Sequence, residues 1–153
     1  MIHTFTAHLD WKKKSDFELK LNRKAIKNHV IEIEHKTPLS ISAAKSFKGD
    51  QTLYNPEDLL LSSLASCHMM SYLYCCDRHQ IEVLQYHDHA EAILEVFPDG
   101  SGKFIKAILN PTVTIKDEKN WAKAIALHYE ARQLCFIANS CNFEIEHHPI
   151  IVI

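Results

Sequence analysis

Glycine is scarce, with three residues among 153. That leaves no glycine-rich loop in which backbone amides could close around a phosphate, and so argues against the nucleotide-binding classes built on such loops. Charge of one sign is lacking as well. Seventeen Lys and Arg stand against nineteen Asp and Glu, a formal net charge of -2, which provides neither a basic field for a nucleic-acid backbone nor an acidic tail. No stretch approaches the roughly 18 consecutive apolar residues of a membrane helix. Met1-Ile-His-Thr does not have the basic-then-apolar layout of a leader. The expectation is a cytoplasmic protein with no nucleic-acid and no membrane partner. Five cysteines are too few and too unevenly spaced for a disulfide scaffold, so thiols kept reduced or cycling in catalysis fit better.

What is present is ordinary for one globular domain covering residues 1–153: 46% hydrophobic and 24% charged residues. Phe5, Ala7, Leu9 and Trp11 alternate at period two, and the alternation resumes with Phe17, Leu19 and Leu21 after Lys12-Lys13-Lys14-Ser15-Asp16, which predicts a hairpin. Ile31 and Ile33, interleaved with Glu32 and Glu34, predict a third strand, followed by a polar loop through Lys36, Lys45 and Gly49-Asp50. At Asn55-Pro56-Glu57-Asp58 the texture changes. Asn caps helices, Pro suits their first turn and the acids complement the positive end of the dipole, so a long, largely buried helix is expected to about His79.

Strand patterning returns from Tyr86 to Phe97 and from Lys103 to Ile115, joined by the turn residues Pro98-Asp99-Gly100-Ser101-Gly102, with Pro111 marking a break or edge. Trp121, Ala124, Ile125, His128, Ala131 and Cys135 form one stripe of a second helix, from about Asp117 to Asn139, before a last strand from Phe143 to Ile153. The order β-β-β-α-β-β-α-β predicts an α+β fold, with mostly antiparallel sheets packed around two long helices.

Neither Cys67 nor Cys135 belongs to a CxxC motif, and a cysteine on an apolar helical stripe is ordinarily a small buried hydrophobe. The surrounding residues are more informative. Asn55-Pro56-Glu57-Asp58-Leu59-Leu60 followed by Ser62-Ser63-Leu64-Ala65-Ser66-Cys67-His68-Met69, with ten residues from Glu57 to Cys67, resembles the first motif of the OsmC/Ohr family of hydroperoxide-reducing proteins. Ala131-Arg132-Gln133-Leu134-Cys135, continuing Phe-Ile-Ala-Asn-Ser, resembles that family's second motif.

The resemblance implies a thiol-dependent peroxidase that acts on organic hydroperoxides. Cys67 would attack the O–O bond and become a sulfenic acid, and Cys135 would resolve it to a disulfide. An external dithiol, lipoyl-type or another small thiol, would reopen the disulfide, and no cofactor is implied. The family also uses an N-terminal Arg beside the reactive thiol, held by the Glu of the first motif. Here these would be Arg23, in Leu21-Asn22-Arg23, and Glu57. Arg23 lacks the glycine-rich setting found in many relatives, and read from the residues alone it is equally a solvated turn residue. Ten residues of helix rise by roughly 15 Å, so Glu57 and Cys67 of one chain are too far apart to share a site. The intertwined homodimer typical of the family would bring Glu57 of one chain towards Cys67 of the other.

Other readings stand beside this one. The same fold could serve as a redox-sensing or small-ligand-binding protein without peroxidase activity. Eleven histidines raise the question of zinc, above all His87-x-His89 and His147-His148, though an exposed strand face accounts for them more simply. His68 lies about 100° round the helix from Cys67 and reads as a packing or hydrogen-bonding residue, with His128 similarly ambiguous. Cys75, Cys76 and Cys141 read as core or incidental thiols.

Overall fold

The computed structural model describes residues 1–153, and the chain divides into two units, Met1–Leu60 and Leu61–Ile153. In the first, β1 (His8–Asp10), β2 (His29–Glu32) and β3 (Leu39–Ile41) form an antiparallel sheet in that order. The expected second strand of the hairpin is instead a helix, α1 (Asp16–Leu21). Ser15 Oγ accepts from the Glu18 amide at 3.3 Å, and the Glu18 carboxylate accepts from the Ser15 amide at 2.8 Å. This reciprocal capping box satisfies donors that a strand would leave to a neighbour, whereas the alternating Phe17 and Leu21 stay exposed and bring no burial to favour a strand. The third strand before the long helix comes from the polar stretch read as a loop, because Leu39–Ile41 pairs with β2.

Gly49 is fixed by close approach. A Cβ there would lie 1.7 Å from the Ala43 carbonyl oxygen and 2.7 Å from Ala43 Cα. Backbone has no rotamer to yield, so Gly49→Ala is expected to destabilise the protein by about 1–3 kcal/mol, read as a lowered urea midpoint.

Helix α2 (Pro56–Arg78) has the expected limits. Asn55 Oδ1 accepts from the Asp58 amide at 2.8 Å, and Asn55 Nδ2 donates to the Asp58 carboxylate at 2.7 Å. Its burial is narrower than expected: Leu64, His68, Tyr72, Cys75 and Cys76 form one buried stripe, while Met70, Leu73 and Tyr74 are exposed. The 23-residue helix also has the length and hydropathy of a membrane span, with 28% of its most apolar window buried. Length and composition alone therefore do not assign it to a core or to a bilayer.

In the second unit each long strand bends and divides. Tyr86 to Phe97 becomes part of β4 (Val83–Asp88) and β5 (Glu91–Val96), and the next becomes β6 (Gly102–Leu109) and β7 (Pro111–Ile115). The bends lie side by side, where Asn110 donates its amide to Asp88 Oδ1 at 2.8 Å and its side chain to the His89 carbonyl at 2.9 Å. Pro111, which cannot donate to a ladder, starts β7. The last strand divides likewise into β8 (Glu144–His147), parallel to β6, and β9 (Ile150–Val152), parallel to β7. The result is two three-stranded sheets, β4-β7-β9 and β5-β6-β8, in which each strand of one continues a strand of the other.

Between β7 and β8 run α3 (Trp121–Leu134) and a short α4 (Phe136–Ser140), in place of one helix to Asn139. Tyr72, Cys75 and Cys76 of α2 and Ala124, Leu127 and Ala131 of α3 pack with Val113, Ile115 and Ile151 of the first sheet. Each fully buried aliphatic side chain of this kind contributes about 1.5–3 kcal/mol. A second cluster joins Leu64 and Cys67 of α2 to Ala107 and Leu109 of β6, Cys135 and Ala138.

Candidate active site

Cys67 sits near the middle of α2, and Cys135 occupies the break between α3 and α4. At Cys135 the backbone is extended (φ -75°, ψ 104°), which ends the i to i−4 ladder. The groups freed by this break find local partners. Cys135 Sγ accepts from the Ala138 amide at 3.4 Å, and Asn139 Nδ2 donates to the Gln133 carbonyl at 2.9 Å. Ser140 Oγ donates to the Phe136 carbonyl at 2.9 Å. The Cys-Phe-Ile-Ala-Asn-Ser run thus holds its own turn, with the thiol fixed within it.

The break brings Cys135 within hydrogen-bonding reach of Cys67. The two thiols are not equivalent. Cys135 is 0% exposed, and burial first, then the hydrogen bond with Cys67, pushes its pKa above the ordinary thiol range. Cys67 is half-buried and opens on an apolar cavity of about 320 Å³, lined with Met70, Ser71, Tyr74, Leu134 and Phe136. One thiol faces a space that could hold a substrate, while the other waits behind it. Both are in the free form, as are Cys75, Cys76 and Cys141. Cys75 and Cys76 are fully buried core thiols, the latter pushed up to about 11 by burial.

The other two expected site residues belong to the first unit. Arg23 is exposed at the start of a 3-10 turn (Arg23–Lys27) capped by Asn22, and lines an open cleft with Asp16, Leu19, Lys20 and Ile26. Glu57 lies in the first turn of α2, half-buried, and its Oε2 is buried without a hydrogen-bond partner.

His68 is a packing and hydrogen-bonding residue, 1% exposed, with Nε2 3.1 Å from His128 Nδ1. His147 lies against it at a ring separation of 4.3 Å, and Tyr72 stacks on His128 at 3.9 Å. All three imidazoles are held neutral. Burial, then the charges of His147, His128 and Arg132, lowers His68 to about 3. Burial and His147 lower His128 to about 4, and burial, Arg132 and His148 lower His147 to about 4. The exposed-face reading suits His87 and His89 but not His147, whose partners lie 79 and 19 residues earlier in the sequence, at His68 and His128. No three His, Cys, Asp or Glu side chains converge in an arrangement that could hold a metal ion.

No curated protein matches the chain in sequence. Among solved structures, an OsmC-like protein of unknown function from Vibrio cholerae is 24% identical with a TM-score of 0.85, covering 97% of this chain and 100% of that one. An organic hydroperoxide resistance protein, OsmC, from Legionella pneumophila is 17% identical with a TM-score of 0.73, covering 100% and 99%. One from Elizabethkingia anophelis is 14% identical with a TM-score of 0.70, covering 99% and 96%. These likenesses establish the α+β fold of the OsmC/Ohr proteins. The profile of the OsmC-like protein family matches residues 49–148, a span that contains Glu57, Cys67 and Cys135, and the chain belongs to that family.

Proposed function

We propose that this protein is a thiol peroxidase that reduces organic hydroperoxides, with Cys67 as the attacking thiolate and Cys135 as the resolving thiol. The observation that carries the reading is the asymmetry of the pair: Cys67 borders the apolar cavity and Cys135 is sealed behind it within hydrogen-bonding reach. In the reaction, Cys67 sulfur attacks the terminal peroxide oxygen, the O–O bond breaks, and the alcohol leaves with a proton. The Cys135 thiol then displaces water from the sulfenic acid and forms the disulfide. A small dithiol of the lipoyl type returns both thiols by exchange. The cavity offers almost entirely apolar lining, which suits the organic part of a hydroperoxide better than hydrogen peroxide.

The assignment extends to a homodimer working in the cytoplasm, with the whole of residues 1–153 acting as one functional domain. The partnerless Glu57 Oε2 and the exposed Met70, Tyr74 and Phe136 support a pairing of chains in which Glu57 meets a cation, for which Arg23 is the candidate. Sedimentation at micromolar concentration is expected to give twice the chain mass, and a monomer would remove this part of the proposal.

The test is thiol counting with peptide mapping after one equivalent of tert-butyl hydroperoxide. A Cys67–Cys135 disulfide forming within seconds is expected. Folded protein with five unreacted thiols would move the reading to an OsmC-like sensor or ligand-binding protein. The cavity wall makes a further prediction. Phe136 is 81% exposed and forms one side of the cavity. Phe136→Ala removes apolar surface worth about 1–2 kcal/mol to a bulky ligand, so KM for cumene hydroperoxide should rise about 5- to 30-fold while hydrogen peroxide turnover stays within about twofold.

A further inference from the structure

A second cleft, of about 290 Å³, is lined with Ile125, His128, Tyr129 and Arg132 of α3 together with His147 and Pro149. Its polar lining comprises one guanidinium, two imidazoles and a phenol, with no carboxylate. Arg132 is half-buried and makes no ion pair. His128 is 3% exposed and its Nε2 is buried without a hydrogen-bond partner; the same holds for His147 Nε2, and for His68 Nδ1 at the far end of the cluster. An unsatisfied buried polar group costs about 1–3 kcal/mol, and native structures leave few of them. Three of these atoms fall in one cluster of side chains, two of them on residues that line one cleft, where a polar ligand would satisfy them.

The surrounding groups determine its sign. From α2 come His68 and Tyr72, and the Tyr72 hydroxyl already donates to the Ala124 carbonyl at 3.1 Å. From α3 come His128 and Arg132, from β8 and its end His147 and His148, and from β4 Tyr86, whose ring is 6.0 Å from that of Tyr72. The nearby carboxylate of Glu146 is already engaged, by Lys106 at 2.5 Å and His148 at 3.4 Å. The carboxylate of Asp88, beside Tyr86 on β4, accepts from the Asn110 amide and does not line the cleft, so the charges that the lining itself can add are positive. If His68 Nε2–H donates to His128 Nδ1, His128 carries its own proton on Nε2 and becomes a donor. A guanidinium fork matches two oxygens of a carboxylate or phosphate, and the volume is at the lower end of ligand sites.

We propose that this cleft binds a small oxyanion, held by the Arg132 guanidinium and the ring N–H groups of His128 and His147. The site is independent of the thiol chemistry, since neither Cys67 nor Cys135 lines it. A bound anion favours the protonated imidazoles, so binding takes up protons and tightens as the pH falls from 7 to 5.5.

The experiment is a titration of the full chain, with inorganic phosphate in one series and acetate in the other, followed by imidazole 15N and 1H NMR at both pH values. Saturable shifts at His128, His147 and His68, absent at the exposed His3 and His35, are expected to be stronger at pH 5.5. Saturation by phosphate alone assigns a tetrahedral oxyanion, and by acetate alone a carboxylate; either outcome supports the site. Arg132→Gln should weaken binding at least about tenfold, and Arg132→Lys, which keeps the charge but loses the fork, should weaken it less. No saturable shift with either anion, or saturation unchanged in Arg132→Gln, overturns the proposal.

Discussion

Cys67→Ser is expected to abolish hydroperoxide consumption with a dithiol reductant, by at least about a thousandfold, whereas Cys135→Ser should retain a first, stoichiometric turnover. The difference follows from position. Only Cys67 borders the cavity, so removing its sulfur removes the nucleophile, and the sealed Cys135 cannot take over. Without Cys135 the first step still leaves a sulfenic acid at Cys67, with no thiol placed to resolve it. Dimedone should therefore add one label per chain at Cys67 in Cys135→Ser and none in Cys67→Ser. The turn around Cys135 should survive, because a serine Oγ can accept from the Ala138 amide as the sulfur does. Equal labelling of both variants, or full turnover by Cys67→Ser, would remove the proposed roles. Loss of folding is checked separately by circular dichroism.

The elements read correctly from sequence are those whose cues are local and repeated. Asn55-Pro56-Glu57-Asp58 marks the start of α2 because capping, proline geometry and acidic residues agree there, and the helix begins at Pro56. Pro111 marks a real discontinuity for a similarly local reason. The α1 segment is equally open to a local reading: Ser15-x-x-Glu18 is a capping box written in the sequence, but the period-two Phe17, Leu19 and Leu21 compete with it by suggesting a strand, and two of the three are exposed in the fold. The bends at His89-Ala90 and Asn110 are less visible. A strand that passes from one sheet to the next keeps its alternation, and the corner is held by long-range bonds from Asn110 to Asp88 and His89. Cys135 shows both limits. Its motif identifies it as a candidate, yet the helical stripe runs through it without interruption, and the break depends on a side chain four residues later capturing the Gln133 carbonyl. The histidine cluster lies further still from local cues, since α2, α3 and β8 each supply one ring.

Acid should unfold this protein unusually steeply, and the three clustered imidazoles, His68 and His128 buried and His147 half-buried, give the sign. Their folded pKa values, about 3 for His68 and about 4 for His128 and His147, lie below the ordinary histidine value of about 6.5 expected in the unfolded chain. Above pH 6.5 all three are neutral in both states. As the pH falls through 6.5 towards 4, the unfolded chain takes up protons that the folded chain refuses, so stability is lost with decreasing pH. Each such group contributes up to about 1.4 kcal/mol per pH unit, so His68 and His128 together approach about 2.7, with a smaller share from the half-buried His147. Asp88 acts in the opposite sense, since burial raises its pKa and the folded chain takes up that proton more readily than the unfolded one. From pH 6.5 to 4.5 the loss from His68 and His128 sums to about 5 kcal/mol, so a protein at the lower end of the typical stability of about 5–15 kcal/mol should lose its folded state near pH 4.5. Urea midpoints measured from pH 7.5 to 5 in chloride-only buffer check this, and a flat profile would contradict the burial of neutral rings. His128→Phe keeps an aromatic face against Tyr72 while removing one titrating group, so its slope should be shallower by about one proton. An oxyanion in the cleft between α3 and β8 would supply the missing countercharge, so adding phosphate should flatten the wild-type slope and leave that of Arg132→Gln unchanged.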